Sequence, residues 1–238
     1  MANSIEMSTI TTPERDTSLL NACKNTVENL DEVQSLIESG ANVNAVTPSG
    51  RTPLMLASYR GHSDIVQFLL QNGADVDIKE NLKDGTALMF AINNITSSLY
   101  DDDNRKRLTI INLLMRHNAN INAQTKEGKT ALMLVCEKCT HDEDDNLIFR
   151  ICDIFLNNRN IDLSIIDEDN KTVLDYVTEN CNQNIKDLFS RHQDIVMIPD
   201  QTINYTGGRR RKTIRRKYRR KSRKSRKSRK STRKYKRK

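Results

Sequence analysis

The chain has 238 residues, of which 36% are hydrophobic, a low fraction for a fully folded protein of this length. Residues 207–238 hold 21 of the 39 basic residues and none of the 31 acids, so residues 1–206 keep only 18 bases. An acidic body and a strongly basic tail are therefore predicted. No apolar run approaches the roughly 18 to 20 residues of a membrane-spanning helix, which excludes an integral helical membrane protein.

Segment 1–15 is polar, carries Pro13 and shows no basic-then-apolar pattern, so neither a secretory signal nor a transit peptide is predicted. We expect these residues to be disordered. The five cysteines are odd in number and lie mostly in apolar surroundings, which is typical of buried free thiols in a reducing compartment. The sequence therefore predicts an intracellular protein.

A repeated helical pattern begins at residue 16, and its clearest copy runs from Gly50 to Asp77. Thr52 and Pro53 predict a helix start, because a threonine hydroxyl can cap the first turn and a proline there loses no hydrogen bond. Gly73 predicts the end of the second helix, where a left-handed residue is needed. Apolar residues at helical spacing lie between these signals: Leu54, Leu56, Ala57, Ile65, Val66, Leu69 and Leu70.

Five copies of this pattern can be traced along the chain. Threonines at separations of 35, 34, 44 and 42 residues are predicted to begin the first helix of each copy: Thr17, Thr52, Thr86, Thr130 and Thr172. The last copy lacks a following hairpin and is predicted to be the C-terminal cap. Five helix pairs, and therefore an all-α fold, are expected.

The copy from Gly50 to Asp77 is similar to the ankyrin repeat along its whole length. The resemblance implies an all-α ankyrin-repeat solenoid of about five helix-pair units over residues 16–191. It also implies a non-catalytic scaffold that recognises a protein through the concave face formed by the hairpins and first helices. Three methionines stand where the family usually has a histidine, and this loss should lower stability without changing the fold. They are Met55, Met89 and Met133.

Eight hairpin residues are predicted to contact the partner, because ankyrin proteins generally vary their surface at such positions while the stack fixes the backbone. They are Asn44, Thr47, Ser49, Asp77, Lys79, Asn81, Gln124 and Lys126. The partner is an unidentified protein, and we expect the chain itself to be a monomer.

Two acidic insertions account for the longest separations between copies. Residues 97–104 and 140–146 lie between the paired helices of the third and fourth copies, and we expect two loops on the same edge of the stack. The favoured interpretation is that they are solvated turns. The alternative is a docking patch for a basic segment, with acids at 101–103 and 142–145.

The sequence offers little catalytic or metal chemistry. Cys136, Cys139 and His141 resemble half of a zinc site, but a structural zinc ion needs four ligands, so core packing of the cysteines is favoured. The segment that begins with the acids at 101–103 has no glycine and glutamate at the positions that a calcium-binding loop requires, so calcium is not favoured. His62 is interpreted as structural. No nucleotide-binding, hydrolase or kinase motif occurs. We therefore predict no catalytic residue, no metal and no cofactor.

After a linker over 192–208, the tail over 209–238 carries too dense a like charge to pack on a core, so we expect disorder. Three interpretations remain open: sequence-nonspecific contact with DNA or RNA, nuclear import, and attraction to an anionic membrane. The first two are compatible, and no membrane anchor is predicted. The candidate nucleic-acid-binding residues are Arg209, Arg210, Arg211, Lys212, Arg215, Arg216, Lys217, Arg219, Arg220 and Lys221.

The tail leaves an alternative function open, in which the chain is primarily a nonspecific nucleic-acid-binding protein and the repeats are its carrier. The abundance of Asn, Ile, Asp and Lys, with Gly207 and Gly208 before a Lys/Arg/Ser tail, resembles ankyrin-repeat proteins of giant amoebal, mimivirus-like DNA viruses. This second resemblance implies an intracellular protein that is nuclear or virion-associated.

Overall fold

The computed structural model describes residues 12–95, 102–139 and 146–196, which form ten α-helices. The helices are α1 (Thr12–Lys24), α2 (Leu30–Glu38), α3 (Pro53–Arg60), α4 (Ser63–Gln71), α5 (Ala87–Asn93), α6 (Asp102–Arg116), α7 (Ala131–Glu137), α8 (Asn146–Leu156), α9 (Val173–Asn180) and α10 (Gln183–Val196). Within these ranges, β-type pairing is limited to an isolated bridge between Gln124 and Thr130. The all-α repeat fold predicted from the sequence is confirmed.

The helices stack in two rows. The odd-numbered helices contact one another in succession and form an inner row, while the even-numbered helices form an outer row in the same way. Each helix also contacts its own partner, so the units are the five predicted pairs. Four hairpins connect successive pairs, and we number them in chain order: 39–52, 72–86, 117–130 and 157–172.

The helix boundaries follow from local chemistry. Thr52 accepts a hydrogen bond from the backbone N–H of Met55 at 3.2 Å, and Pro53 occupies the first turn of α3. Gly61, at φ 86°, ends α3 in a left-handed conformation that glycine adopts at low cost. The other threonine caps are also where the repeat pattern predicts them: Thr86, Thr130 and Thr172.

Buried apolar residues of all five pairs form one continuous core, from Leu19 to Phe189. The three methionines at the usual histidine position are part of it. Met133 is also a weak acceptor, because its Sδ lies 3.4 Å from the backbone nitrogen of Thr130. In the last copy Asp175 accepts a stronger bond from the backbone nitrogen of Thr172 at 2.7 Å. At these two positions a residue other than histidine therefore accepts a hydrogen bond from the backbone N–H of the cap threonine.

The beginning of the stack differs from the prediction. Helix α1 begins at Thr12 instead of Thr17, and Thr17 lies inside it, with its hydroxyl donating to the carbonyl of Pro13 at 2.9 Å. Thr12 and Pro13 provide an earlier Thr-Pro start signal. Arg15 fastens this turn to the stack by donating to the carbonyl of Ser39 at 2.7 Å. Residues 12–15, predicted to be disordered, are therefore helical.

Helices also extend into two segments that the sequence predicts to be loop or linker. Asp102 and Asp103 form the first turn of α6, where the helix dipole favours acidic side chains. Helix α10 continues to Val196, so the first residues of the predicted linker are helical. The remaining acids of the insertions, including those at 142–145, lie outside the described residues. So do residues 1–11 and the predicted tail over 209–238.

Candidate protein-interaction surface

Side chains bind the backbone of the following hairpin at four places along the stack, from the preceding hairpin in three cases and from α1 in the case of Asp16. In each case the Oδ1 atom of an Asp or Asn accepts a hydrogen bond from a backbone N–H, a geometry that suits these short side chains. We call these four bonds the hairpin ladder. They join Asp16 to Asn42 N (2.7 Å), Asn44 to Asp75 N (2.9 Å), Asp77 to Asn120 N (2.8 Å) and Asn122 to Asp162 N (3.1 Å).

Two of the predicted contact residues, Asn44 and Asp77, belong to the hairpin ladder. Asn44 also donates from Nδ2 to the carbonyl of Gly73 at 3.5 Å. The acceptor oxygens of both side chains are therefore engaged within the stack. Their role in the structure is to set the position of one hairpin against the next.

The tips of successive hairpins are joined as well. Lys126 donates from Nζ to the carbonyl of Asn81 at 2.6 Å, and Lys79 donates to the carbonyl of Gln124 at 2.9 Å. Those two bonds join the second hairpin to the third. Backbone N–H groups bond across all three gaps between hairpins, from Asn81 to Ser49 (2.9 Å), from Lys126 to Lys83 (2.9 Å) and from Glu168 to Glu127 (3.0 Å). The hairpins consequently form one connected array rather than four independent loops.

The remaining predicted contact residues bond within their own turns, and Gln124 also reaches the fourth hairpin. Thr47 accepts a hydrogen bond from the backbone N–H of Arg51 at 3.0 Å, and its hydroxyl lies 2.9 Å from that of Ser49. Gln124 donates to the carbonyls of Gly128 at 2.7 Å and Ile166 at 3.1 Å. All eight predicted residues thus lie on the first three hairpins, where the structure shows their bonds within the stack.

Three exposed apolar residues on the hairpins are not among the contact residues predicted from the sequence. Val46, Leu82 and Ile166 expose 56%, 61% and 51% of their surface. The tip that carries Leu82 is held by the buried carboxylate of Glu80, which accepts hydrogen bonds from the backbone nitrogens of Leu82 at 2.9 Å and Lys83 at 2.5 Å. The sequence does contain a signal for two of them, because Val46 and Ile166 each stand six residues before a threonine cap and so occupy the same position in their repeats.

A cluster of charged residues covers the fourth and fifth inner helices. Lys129 pairs with Glu137 at 2.5 Å, and Lys171 pairs with Glu179 at 2.8 Å, so the same pairing recurs one repeat later. The ring of Tyr176 lies close to both ammonium groups, at 5.9 Å from Lys129 and 5.7 Å from Lys171. These distances place both lysines within reach of cation–π attraction.

Beneath this cluster, Tyr176 donates a hydrogen bond from its hydroxyl to Asp167 Oδ2 at 2.5 Å. Burial raises the pKa of Asp167, but hydrogen bonds from Tyr176 and from the backbone of Lys171 and Asp169 outweigh burial, so the pKa lies below its usual 3.8. Burial, followed by the bond to Asp167, raises the pKa of Tyr176. The bond to Glu137 raises the pKa of Lys129. Asp167, Tyr176 and Lys129 therefore each keep one charge state near neutral pH.

The first half of the inner row carries an aromatic counterpart of this cluster. The guanidinium carbon of Arg51 lies 5.3 Å from the ring centroid of Phe90. Tyr59, 40% exposed, meets the same ring edge-on at a centroid distance of 6.3 Å. Arg51 directly precedes its threonine cap, as Lys129 does, and Phe90 stands four residues after its cap, as Tyr176 does. A cation of one repeat over a ring of the next is thus a recurring contact.

The cysteines only partly follow the expectation of free thiols. Cys23, Cys136 and Cys152 are free and buried, but Cys139 and Cys181 form a disulfide. The expectation was wrong for this pair because 42 residues separate its members, and only the stacking of repeats brings them together. Among the residues that the structure describes, no three His, Cys, Asp or Glu side chains form a group that could hold a metal ion.

His62 has the structural role that the sequence predicts. Its buried ring nitrogen Nε2 lies 2.9 Å from the carbonyl of Asn25, which ties the start of α4 to the preceding repeat. Over the described part of the chain, no helix is both long and apolar enough to cross a membrane. The candidate nucleic-acid-binding residues, from Arg209 to Lys221, lie outside the described residues.

Comparisons with known proteins agree with this architecture. A family model described as ankyrin repeats matches residues 3–80 and 19–101. The chain is 32% identical over 121 residues to mouse ankyrin repeat and SAM domain-containing protein 6, covering 50% of this chain and 12% of that protein. It is 31% identical over 99 residues to mouse ankyrin repeat and SOCS box protein 6, covering 41% and 21%.

A third relative is an ankyrin repeat protein of Fowlpox virus, 31% identical over 121 residues, with 50% of this chain and 32% of that protein covered. The chain therefore spans a third or less of the length of these relatives. What they share with it is the repeat region. Together with the five stacked helix pairs and the N-cap threonines of α3, α5, α7 and α9, these matches show that the described part of the chain folds as a stack of ankyrin repeats.

Proposed function

We propose that the chain is a non-catalytic scaffold that holds a protein partner on its hairpins and inner helices. The observation that carries the proposal is the array of hairpins joined by the hairpin ladder and by their tips. A surface whose backbone is already fixed loses little conformational freedom on binding, so more of the contact energy appears as affinity.

The exposed chemistry of this surface suits a protein partner. Val46, Leu82 and Tyr59 provide apolar and aromatic area toward the first half of the stack. The paired charges of Lys129 with Glu137, repeated one unit later, provide a polar region toward the second half. Apolar and aromatic anchors beside satisfied polar groups are the usual composition of protein interfaces. The partner is therefore expected to present an apolar segment next to a mixed-charge segment.

The test is a selection of binding peptides from a random-peptide library on the immobilised full chain, followed by affinity measurements with variants. Leu82→Asp and Val46→Asp place a charge on the hairpins and should weaken a selected peptide by about tenfold or more. Gln67→Asp, on the exposed side of α4, is the matched control and should leave the affinity unchanged. The proposal would be contradicted if Gln67→Asp weakened binding of the peptide while both hairpin variants bound it as tightly as the parent chain.

A second function is favoured by the segregated charge of residues 207–238, which hold 21 Lys or Arg without an acid. We propose that this segment binds DNA or RNA without sequence preference, since each phosphate that it neutralises releases a counterion. Nuclear import is compatible with this proposal, and attraction to anionic lipid is the competing one. The location is accordingly proposed to be intracellular, and either nuclear or virion-associated.

One comparison separates the two functions. The full chain and a variant ending at Thr206 are measured against a random DNA duplex across a salt series, and against a peptide selected as above. The tail proposal requires that truncation abolish DNA binding and that the full chain lose affinity steeply as salt rises. Unchanged peptide binding by the truncated chain would make the repeats the primary module. Loss of both would favour the alternative in which the repeats carry a nucleic-acid-binding tail.

A further inference from the structure

The disulfide between Cys139 and Cys181 joins two repeats. Cys139 follows α7, the inner helix of the fourth pair, and Cys181 stands between α9 and α10 of the last pair. Their Cα atoms are 5.0 Å apart although 42 residues separate them in the chain. The bond therefore fastens the C-terminal helix pair to its neighbour at the same end of the two inner helices.

The two cysteines differ in exposure. Cys181 is fully buried, whereas Cys139 is only partly buried. A thiolate from solution must reach a sulfur atom in line with the bond that it breaks, so attack at Cys139 is favoured. The bond is thus open to exchange from one side, unlike a disulfide that is enclosed in a core.

The neighbouring thiols do not compete for this exchange. Cys136 and Cys152 are both buried, and a hydrogen bond to Cys152, together with burial, raises the pKa of Cys136 well above its usual value. At the other end of the stack, burial raises the pKa of Cys23 to about 12. Since the thiolate is the reactive form, a raised pKa keeps Cys136 and Cys23 unreactive.

We propose that Cys139 and Cys181 form a reversible, redox-controlled staple that locks the C-terminal helix pair onto the stack. The inference does not depend on the proposed function, because it concerns the order of α9 and α10 and not any partner. The co-reactant is a small thiol or its disulfide, such as reduced or oxidised glutathione.

The chemistry is two thiol–disulfide exchanges. In the reducing direction, a thiolate attacks the sulfur of Cys139, the bond between the two cysteines breaks, and Cys181 leaves as a thiolate that takes up a proton. A second small thiolate then attacks the mixed disulfide and releases Cys139. Two electrons pass to the protein, and two small thiols become one small disulfide. Oxidation follows the same steps in reverse.

The position of the bond explains why it matters. An inner pair is held by neighbours on both sides, whereas among the described helices the last pair packs mainly on the fourth pair, through α7 and α8. Terminal repeats therefore open most easily, and a cross-link there restricts the opened chain. Helix α9 also follows the fourth hairpin, so the staple controls the order of that hairpin as well.

The first experiment equilibrates the full chain in glutathione buffers of graded ratio, stops exchange with acid, blocks free thiols in denaturant so that buried thiols also react, and digests with trypsin. The sequence places all five cysteines in different tryptic peptides. The staple predicts a disulfide-linked pair of peptides, Cys139–Arg150 with Thr172–Lys186, which appears and disappears reversibly with the buffer ratio. The thiol of Cys136, in peptide Thr130–Lys138, should carry the blocking group at every ratio. A linked pair containing Cys136, or no linked pair in fully oxidised glutathione, would overturn the proposal.

The second experiment measures amide exchange in oxidised and reduced protein. Reduction should lower protection in α9 and α10 by about 30-fold or more and leave α3 and α4 unchanged. Cys139→Ala should have the protection of the reduced chain under both conditions. Cys23→Ala, a buried cysteine far from the pair in sequence, is the control and should keep the redox response. Equal protection in both states would show that the bond has no effect on the cap.

A metal is the remaining competitor for these sulfurs. The reduced chain is titrated with Co²⁺, whose thiolate complexes absorb strongly. The staple predicts no such absorption, because Cys136 and Cys152 are enclosed in the core. If the chain gave a stoichiometric thiolate–cobalt spectrum and Cys139→Ala lost it, Cys139 and its neighbouring cysteines would instead be assigned to metal binding.

Discussion

Lys129 and Tyr176 come from successive repeats and lie 5.9 Å apart, measured from the ammonium nitrogen to the ring centroid. Arg51 and Phe90 repeat this relationship earlier in the stack, at 5.3 Å from the guanidinium carbon. In both cases the cation precedes a threonine cap, and the ring stands four residues after the next cap in the series. The contact is therefore a link between repeats that can be tested at either position.

Tyr176→Phe keeps the ring and removes the hydroxyl that donates to Asp167. We expect the free energy of unfolding to fall by about 1–2 kcal/mol, because a buried carboxylate loses one donor. Urea denaturation at neutral pH measures the effect. Tyr59→Phe is the control on a more exposed tyrosine and should change stability by less than about 0.5 kcal/mol. Equal effects of the two variants would show that the bond to Asp167 contributes nothing specific.

The pKa of Asp167 gives the pH dependence. Because the folded pKa lies below the usual 3.8, this group stabilises the fold above that pH, and the contribution is lost as the pH falls through the folded pKa. Titration of the carboxyl carbon by NMR should therefore give a midpoint below 3.8. In Tyr176→Phe the midpoint should move upward, and a midpoint that stays in place would refute the assigned cause.

The hairpin ladder can be probed at Asp77. Asp77→Ala removes the acceptor for the backbone N–H of Asn120 and should lower the free energy of unfolding by about 1 kcal/mol. Asp77→Asn should retain most of the stability, since Asn44 accepts the equivalent bond one repeat earlier. Thermal and urea unfolding of the three chains provide the measurement. A loss in Asp77→Asn as large as in Asp77→Ala would mean that charge, not the ladder bond, stabilises this position.

Gly128 and Gly73 form a matched pair for close approach between hairpins. Both have positive φ, at 76° and 82°, so alanine at either position carries the left-handed penalty of about 1–2 kcal/mol. A Cβ at Gly128 would lie 2.8 Å from the Cα of Asp167, whereas a Cβ at Gly73 would have no atom within 4 Å. Gly128→Ala should therefore cost about 1–3 kcal/mol more than Gly73→Ala in urea denaturation. Equal costs would show that the hairpins separate freely.

Sequence patterns predict the parts of this fold that depend on a few adjacent residues. Thr52 caps α3 through a bond to an N–H three residues away, and such a signal can be recognised in the sequence alone. The first helix was misplaced because Thr12 and Thr17 both look like starts, and the choice depends on a contact between Arg15 and Ser39. Local chemistry favours both threonines, and only packing distinguishes them.

The sequence predicts which hairpins carry the candidate contact residues, but it does not predict the hydrogen bonds that these residues make. Asn44 and Asp77 were expected on the hairpins, where they lie, yet their bonds run to a backbone about 30 to 45 residues further along. The pairing of Cys139 with Cys181 depends in the same way on how the repeats stack. Distances across repeats follow from the exact rise and rotation of each unit, which the pattern of apolar residues does not specify.

The mixture of Asn and Asp in the hairpin ladder bears on how the protein ages. Spontaneous deamidation converts an asparagine amide into a carboxylate, and Asp77 shows that a carboxylate fills this place in the ladder. The converted side chain would still accept the backbone N–H but would no longer donate a hydrogen bond. Asn122 has more to lose than Asn44, because its Nδ2 donates to the carbonyl of Asn160 at 2.7 Å, compared with 3.5 Å from Asn44 to Gly73. Chemical damage of stored protein would therefore loosen the join between the third and fourth hairpins first.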